Sequence, residues 1–95
     1  MITLKENSKY SRIEIIKSLE NQKIQTRLLF AGNILLQPVF DQMRENRTGY
    51  RVIGELKNTD KIMCDSFWVG VYPGMSEEMI NYMIITISNL IIGKI

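Results

Sequence analysis

Hydrophobic and polar positions follow two periods along this chain, and the clearest stretch is Phe67-Trp68-Val69-Gly70-Val71-Tyr72. It is aromatic and β-branched, carries no charge, and closes on the turn dipeptide Pro73-Gly74, so it predicts an inner strand covered on at least one face. Ser76 then offers an N-cap oxygen, Glu77 and Glu78 suit the positive end of a helix, and Met75 can staple against Ile80. Apolar residues recur at helical spacing from there, predicting a helix over 77–92 that buries Met79, Ile80, Met83, Ile84, Ile87, Leu90 and Ile91 and stops near Gly93. A second helix is predicted over 12–22. Ser11-Arg12-Ile13-Glu14 spells a capping box, Tyr10 and Ile15 a staple, and Ile13, Ile15, Ile16 and Leu19 an apolar stripe.

The remaining segments are shorter. Ile2 to Lys5 reads as an edge strand that begins almost at Met1, as in a domain cut from a larger protein. Ile24 to Phe30 is a strand candidate broken by Ala31-Gly32-Asn33, with Asn33 placed to cap a short helical turn through Ile34, Leu35 and Leu36. Pro38 argues against a long helix there, and the polar stretch from Asp41 to Gly49 reads as a mobile loop. Tyr50 to Ile53 reads as a short strand, Gly54 to Lys57 as a turn, and Asn58 as the N-cap of a helix carrying Ile62 and Met63. The order predicts one α+β domain over 1–95, a small two-layer sandwich with a mostly antiparallel sheet of three to four strands and helices on one face.

Composition narrows the function classes. Of the 95 residues, 45% are hydrophobic and 23% charged, the balance of an ordinary soluble globular domain. The net charge of +2 is spread through the chain, which argues against a nucleic-acid partner or an anionic membrane surface. Asn81, Ser88 and Asn89 interrupt the last helix, so no membrane span is expected. A lone Cys64, with no second cysteine or neighbouring base, and the lack of a secretory leader point to a cytoplasmic chain. Histidine is absent, which removes imidazole acid–base chemistry, His-assisted nucleophiles and His-based metal sites. On the residues alone this is an α+β domain without a self-sufficient active site: no catalytic, cofactor-binding or metal-binding residue is expected.

A few side chains admit two readings. Arg27 can fork onto a phosphate or carboxylate, or pair with a surface acid. Asn33 and Gln37 carry amides suited to sugar hydroxyls, or to local capping. Trp68 and Tyr72 suit a sugar-stacking platform, or core and strand end, with core packing the expectation for Trp68. The Met-rich last helix suits a docking surface, or core packing with a surplus apolar face left for a missing domain to cover.

Three blocks in order carry a resemblance: Ile24-Gln25-Thr26-Arg27-Leu28-Leu29-Phe30-Ala31-Gly32-Asn33 with Gln37-Pro38; Tyr50-Arg51-Val52-Ile53-Gly54 with Asn58-Thr59-Asp60; and Ile62-Met63 leading through Asp65 to Phe67-Trp68-Val69-Gly70-Val71-Tyr72-Pro73-Gly74. Together they resemble the C-terminal small domain of the sugar-nucleotide aminotransferase and dehydratase family, pyridoxal-phosphate enzymes of fold type I. The branch most alike is the lipopolysaccharide-biosynthesis dehydratases acting at C3 of a nucleotide-linked 4-keto-6-deoxyhexose. The resemblance implies a parent enzyme whose large domain holds the pyridoxal or pyridoxamine phosphate, while the small domain closes the nucleotide-sugar cleft and supports a homodimer. It implies substrate contacts at Arg27, Asn33 and Gln37, and a chain that is inert alone. The alternative is a non-catalytic interaction module or the product of a disrupted gene. Two positions depart from the family pattern: Lys23 stands where glycine is usual, at a cost of roughly 1 kcal/mol if its φ is positive, and Cys64 stands where asparagine is usual.

Overall fold

The uncharged run does form the middle of the sheet. In the computed structural model, which describes residues 1–93, β1 is Ile2–Thr3, α1 Arg12–Asn21 and β2 Thr26–Leu28. Two 3-10 turns, Ile34–Leu36 and Pro38–Phe40, lead into α2 (Asp41–Asn46), α3 (Lys57–Asp65), β3 (Ser66–Val69) and α4 (Glu77–Ile91). The three strands lie in the order β1-β3-β2, antiparallel throughout, with Ile2 opposite Phe67 on one side and Arg27 opposite Trp68 on the other. The class is α+β, as the sequence predicts.

Alternation along β3 sorts the two sheet faces. Phe67 is buried and packs with Ile15 and Leu19 of α1, Ile24, and Leu90 of α4. Ile2, Leu4, Tyr10, Ile16, Val69, Met83 and Ile87 complete this core from its margin. The capping box forms as predicted: the Glu14 carboxylate accepts from the Ser11 N–H at 2.7 Å while Ser11 Oγ accepts from the Glu14 N–H. Ser76 caps α4 by accepting from the Met79 N–H at 3.2 Å. Across the elements, the Glu20 carboxylate takes both the N–H and the hydroxyl of Thr26 at 2.8 Å each, fastening the end of α1 to the start of β2.

The end of α1 explains the unusual lysine. Ile24 N–H bonds to Leu19 C=O at 2.9 Å and Lys23 N–H to Glu20 C=O at 3.0 Å, with Lys23 at φ 65°. That is a Schellman close with Ile24 and Leu19 as its apolar pair, and its left-handed position falls on Lys23.

Several expectations need correction. The strand from Phe67 ends at Val69, leaving Val71 85% exposed and Tyr72 52% exposed. Trp68 is 43% exposed, because it points to the face opposite Phe67 and no helix covers that face there. Ile13 turns to solvent, so the α1 stripe is Ile15, Ile16 and Leu19. The second strand is only Thr26–Leu28, since nothing pairs with residues beyond Leu28 and Phe30 is 97% exposed. Asp41 to Asn46 is helical rather than a loop: Arg44 pairs with Asp41 and donates to the Leu35 and Gln37 carbonyls, tying the turn down. Residues 50–53 take no regular secondary structure and pair with no strand. The third helix starts at Lys57 with Leu56 before it and no side-chain cap, so Asn58 lies inside the first turn. In α4 only Thr86 and Leu90 are buried; Met79, Ile80, Ile84 and Ile91 are exposed.

These corrections share one cause. The core draws no residue from 25–66, and between Arg27 and Asp65 the sole buried residue is the polar Asn33. The radius of gyration is 17.2 Å, against about 12 Å for a compact chain of this length. A long lobe with no core of its own extends from a small sandwich, which leaves one apolar surface after another uncovered.

Two stability predictions follow from these contacts. Lys23→Gly should raise unfolding stability by about 0.5–1 kcal/mol, because removing the left-handed strain outweighs the extra freedom of the unfolded chain; a urea titration reads this directly. The hydrogen bonds from Ser11 and from Thr26 hold the Glu14 and Glu20 carboxyls below the ordinary glutamate range. A lowered folded value means the stabilisation is complete above the unfolded value of about 4.3 and lost as pH falls through the folded one. Stability should therefore decline on acidification below about pH 4.3, and a Glu14→Gln/Glu20→Gln variant should show a shallower acid limb in denaturant midpoints.

Candidate functional site

The turn that breaks β2 is built around a buried amide. Ala31 and Gly32 both take left-handed φ values, 66° and 67°. Asn33 then goes into the interior, 4% exposed, where its Oδ1 accepts from the Leu35 N–H at 3.0 Å and its Nδ2 donates to Asp60 Oδ1 at 2.8 Å. Its own N–H faces Met63 Sδ at 3.3 Å. The Asn33 amide thus caps the first 3-10 turn and ties it to α3 across 27 residues. A Cβ on Gly32 would overlap the Met63 side chain, with Sδ at 2.8 Å, so glycine is required there both for φ and for space.

Against this turn lies a groove of about 600 Å³. Its floor and walls come from Gly32 to Leu35, Phe40, Met43 of α2, the irregular segment 49–53, and Leu56 and Thr59 at the start of α3. The walls are mainly apolar. Arg51 is the charged one lining it among the described residues, and Tyr50, itself 40% exposed, stands beside it. Among the described residues, neither the Arg51 guanidinium nor the Tyr50 hydroxyl has a hydrogen-bond or ion-pair partner, whereas Asp41, Glu55 and Asp60 are engaged by Arg44, Lys57 and Asn33. A pocket of this size and lining is suited to a partly apolar ligand bearing an anion.

The three residues expected to meet substrate fall in different places. Asn33 is on the groove wall with its amide engaged on both ends. Gln37 follows on the same turn, where its Nε2 donates to the Ala31 carbonyl at 2.8 Å. Arg27 is separate: it is exposed on the outer face of the sheet opposite Trp68, where its guanidinium donates to the Thr26 carbonyl at 3.4 Å. Tyr50 and Arg51 were missed because they read as a strand. The available signal was their place in the second of the three resembling blocks.

A second concavity, of about 680 Å³, lies between Lys23 to Gln25, the Gly70 to Met75 loop and the first turns of α4. The third, about 500 Å³, is polar and surrounds the Lys5 to Arg12 connection and the end of α3. Among the described residues no lysine is buried: Lys61 is half-buried and paired with Asp65, and the other described lysines are exposed. No group of three or more metal-ligating side chains is present among the described residues, and none of their helices is long and apolar enough to cross a membrane.

A small α+β domain with a groove at one end and uncovered apolar faces is what fold and site define. Comparison with known proteins gives the particular lineage. The model of the DegT/DnrJ/EryC1/StrS aminotransferase family matches residues 1–88, and the chain belongs to that family. Over 83 residues it is 51% identical to the lipopolysaccharide biosynthesis protein RfbH of Salmonella typhimurium, covering 87% of this chain and 18% of that protein. Over 90 residues it is 39% identical to dTDP-4-dehydro-2,6-dideoxy-D-glucose 3-dehydratase of Saccharopolyspora spinosa, covering 95% of this chain and again 18% of the relative. The chain thus spans less than a fifth of the length of these two proteins.

The turn supplies a direct test of its own role. Gly32→Ala should cost about 2–4 kcal/mol, combining left-handed strain with the overlap onto Met63. Urea unfolding followed by Trp68 fluorescence measures that loss.

Proposed function

We propose that this chain is the small C-terminal domain of a pyridoxal-phosphate-dependent sugar-nucleotide 3-dehydratase or aminotransferase of lipopolysaccharide deoxysugar synthesis. Its role is to complete the substrate cleft and support the dimer. The observation that carries this reading is surplus surface. The chain exposes 7657 Å², about 2,000 Å² more than a self-contained protein of 11.1 kDa. That surplus matches one side of a large, permanent interface rather than a passing contact. It includes Phe30, Val39 and Ile53 near the groove and Ile84, Ile85 and Ile91 along α4, all more than half exposed. A domain that occupies 18% of a relative's polypeptide has four-fifths of that polypeptide available to cover these faces.

The described residues do not fit the cofactor. Its Schiff base needs a desolvated lysine, and the groove is lined by neither a lysine nor a carboxylate. The cofactor therefore belongs, in this proposal, to the rest of the parent polypeptide, and this chain's part is to bind and enclose. Asn33 and Gln37 hold the turn that walls the cleft. Arg27 presents its fork from the separate sheet face, toward substrate anions brought there by the covering domain. The nucleotide sugar is the proposed substrate class because one relative is named for a dTDP-linked sugar.

Separate expression of the remainder of the Saccharopolyspora relative, which is named as a 3-dehydratase, provides the test. Mixed with this chain, it should form a stable complex on gel filtration and gain dehydratase turnover that neither piece has alone. Failure to associate would remove the proposal; association without turnover would leave a docking domain with no part in the cleft.

A further inference from the structure

We infer that Phe30 is the anchor by which this domain seats on the rest of the parent polypeptide, its ring entering an apolar, uncharged pocket there. The inference rests on the small-domain reading proposed above and names the residue on which that docking turns. Phe30 is 97% exposed, more than any other large apolar side chain among the described residues. Burying a phenyl ring is among the largest apolar gains one residue can offer, and the domain itself uses none of it. The flanking chain has the same character. No charged side chain occurs from Leu28 to Phe40, and within that stretch Leu28, Ile34, Leu36 and Val39 are each at least half exposed. The centre of a stable interface is depleted of charge and built on a few aromatic anchors, which is the composition found here.

The backbone that carries the ring is fixed in advance. The Gly32 N–H bonds to the Phe30 carbonyl at 2.9 Å, closing a tight turn about Ala31, whose φ of 66° is left-handed. The Ala31 carbonyl accepts from Gln37 Nε2 at 2.8 Å, and Asn33 just beyond is clamped to Asp60 at 2.8 Å. Strain at a residue such as Ala31 persists only where its surroundings over-determine it. Docking therefore orders little beyond the two side-chain torsions of Phe30, and a small ordering cost leaves more of the burial as affinity. The occupant follows from what lies outside the chain. Four-fifths of the Saccharopolyspora relative is not represented here, and the surplus surface of about 2,000 Å² exceeds the roughly 800 Å² per partner of a standard interface. A second copy of this chain is the rival occupant, and the experiment separates the two.

The test is calorimetric titration of the 95-residue chain with the remainder of the Saccharopolyspora relative, first checked for folding by circular dichroism. Phe30→Ala should weaken association by about thirtyfold or more, the loss expected of a central aromatic anchor. Its urea midpoint should match that of the unaltered chain, because a ring 97% exposed supports no packing within the domain. Val71→Ala, the next most open apolar position at 85% exposed, serves as the comparison and should lose less than about threefold. An unchanged affinity in Phe30→Ala, or an equal loss in Val71→Ala, would overturn the inference and leave the domain assignment in place. A dimer of the chain alone in sedimentation velocity, dissociated by Phe30→Ala, would overturn it too, since a second copy would then be the occupant. If the unaltered chain does not bind the folded remainder, the domain assignment fails and this inference fails with it.

Discussion

The constraint on which the structure depends is the burial of Phe67 on the middle strand. β3 is paired on both edges, so its backbone is satisfied within the sheet, and its one fully buried aromatic collects α1 and α4 onto one face. With so few buried apolar side chains, each contributes a large share of a small total. Leu19 and Ile24 sit on either side of the Schellman close, which makes the backbone strain at Lys23 part of the same core. The Glu20–Thr26 contacts then set the spacing between α1 and β2 from outside it.

The lobe from Arg27 to Asp65 is organised by a different physics. Lacking apolar burial, it is held by polar ties: Asn33 to Asp60, Gln37 to the Ala31 carbonyl, Arg44 to two carbonyls and Asp41. Such ties are strong when shielded from water and weak when exposed. The Asn33 amide is shielded; the others are partly wet. This division accounts for a lobe with a definite shape and an open groove, and it accounts for the amount of surface left exposed.

For binding chemistry, the consequence is that the residues with the most suggestive amides are occupied. Asn33 and Gln37 build the wall, and the unoccupied donors are on Arg51 and Tyr50 across the groove. An amide that caps a turn and clamps a helix has little left to offer a ligand. Arg27 and Trp68 form a separate, exposed cross-strand pair on the outer face.

The sequence by itself determined the elements whose causes are local. The capping box at Ser11 and Glu14, the Ser76 cap, the Asn33 cap and the uncharged strand at Phe67 all depend on neighbours within a few residues. Block order was enough to indicate the family, because the motif from Arg27 to Pro38 and the motif from Phe67 to Gly74 are read without folding them. Only the tertiary structure decided which apolar faces are buried. Periodicity marks Ile80, Ile84 and Ile91 as a stripe and Trp68 as part of an inner strand, but it does not say whether a partner element is present to cover them. Here those faces remain open, and the helix at Asp41 and the groove at Arg51 exist because of contacts from segments that the local pattern does not connect.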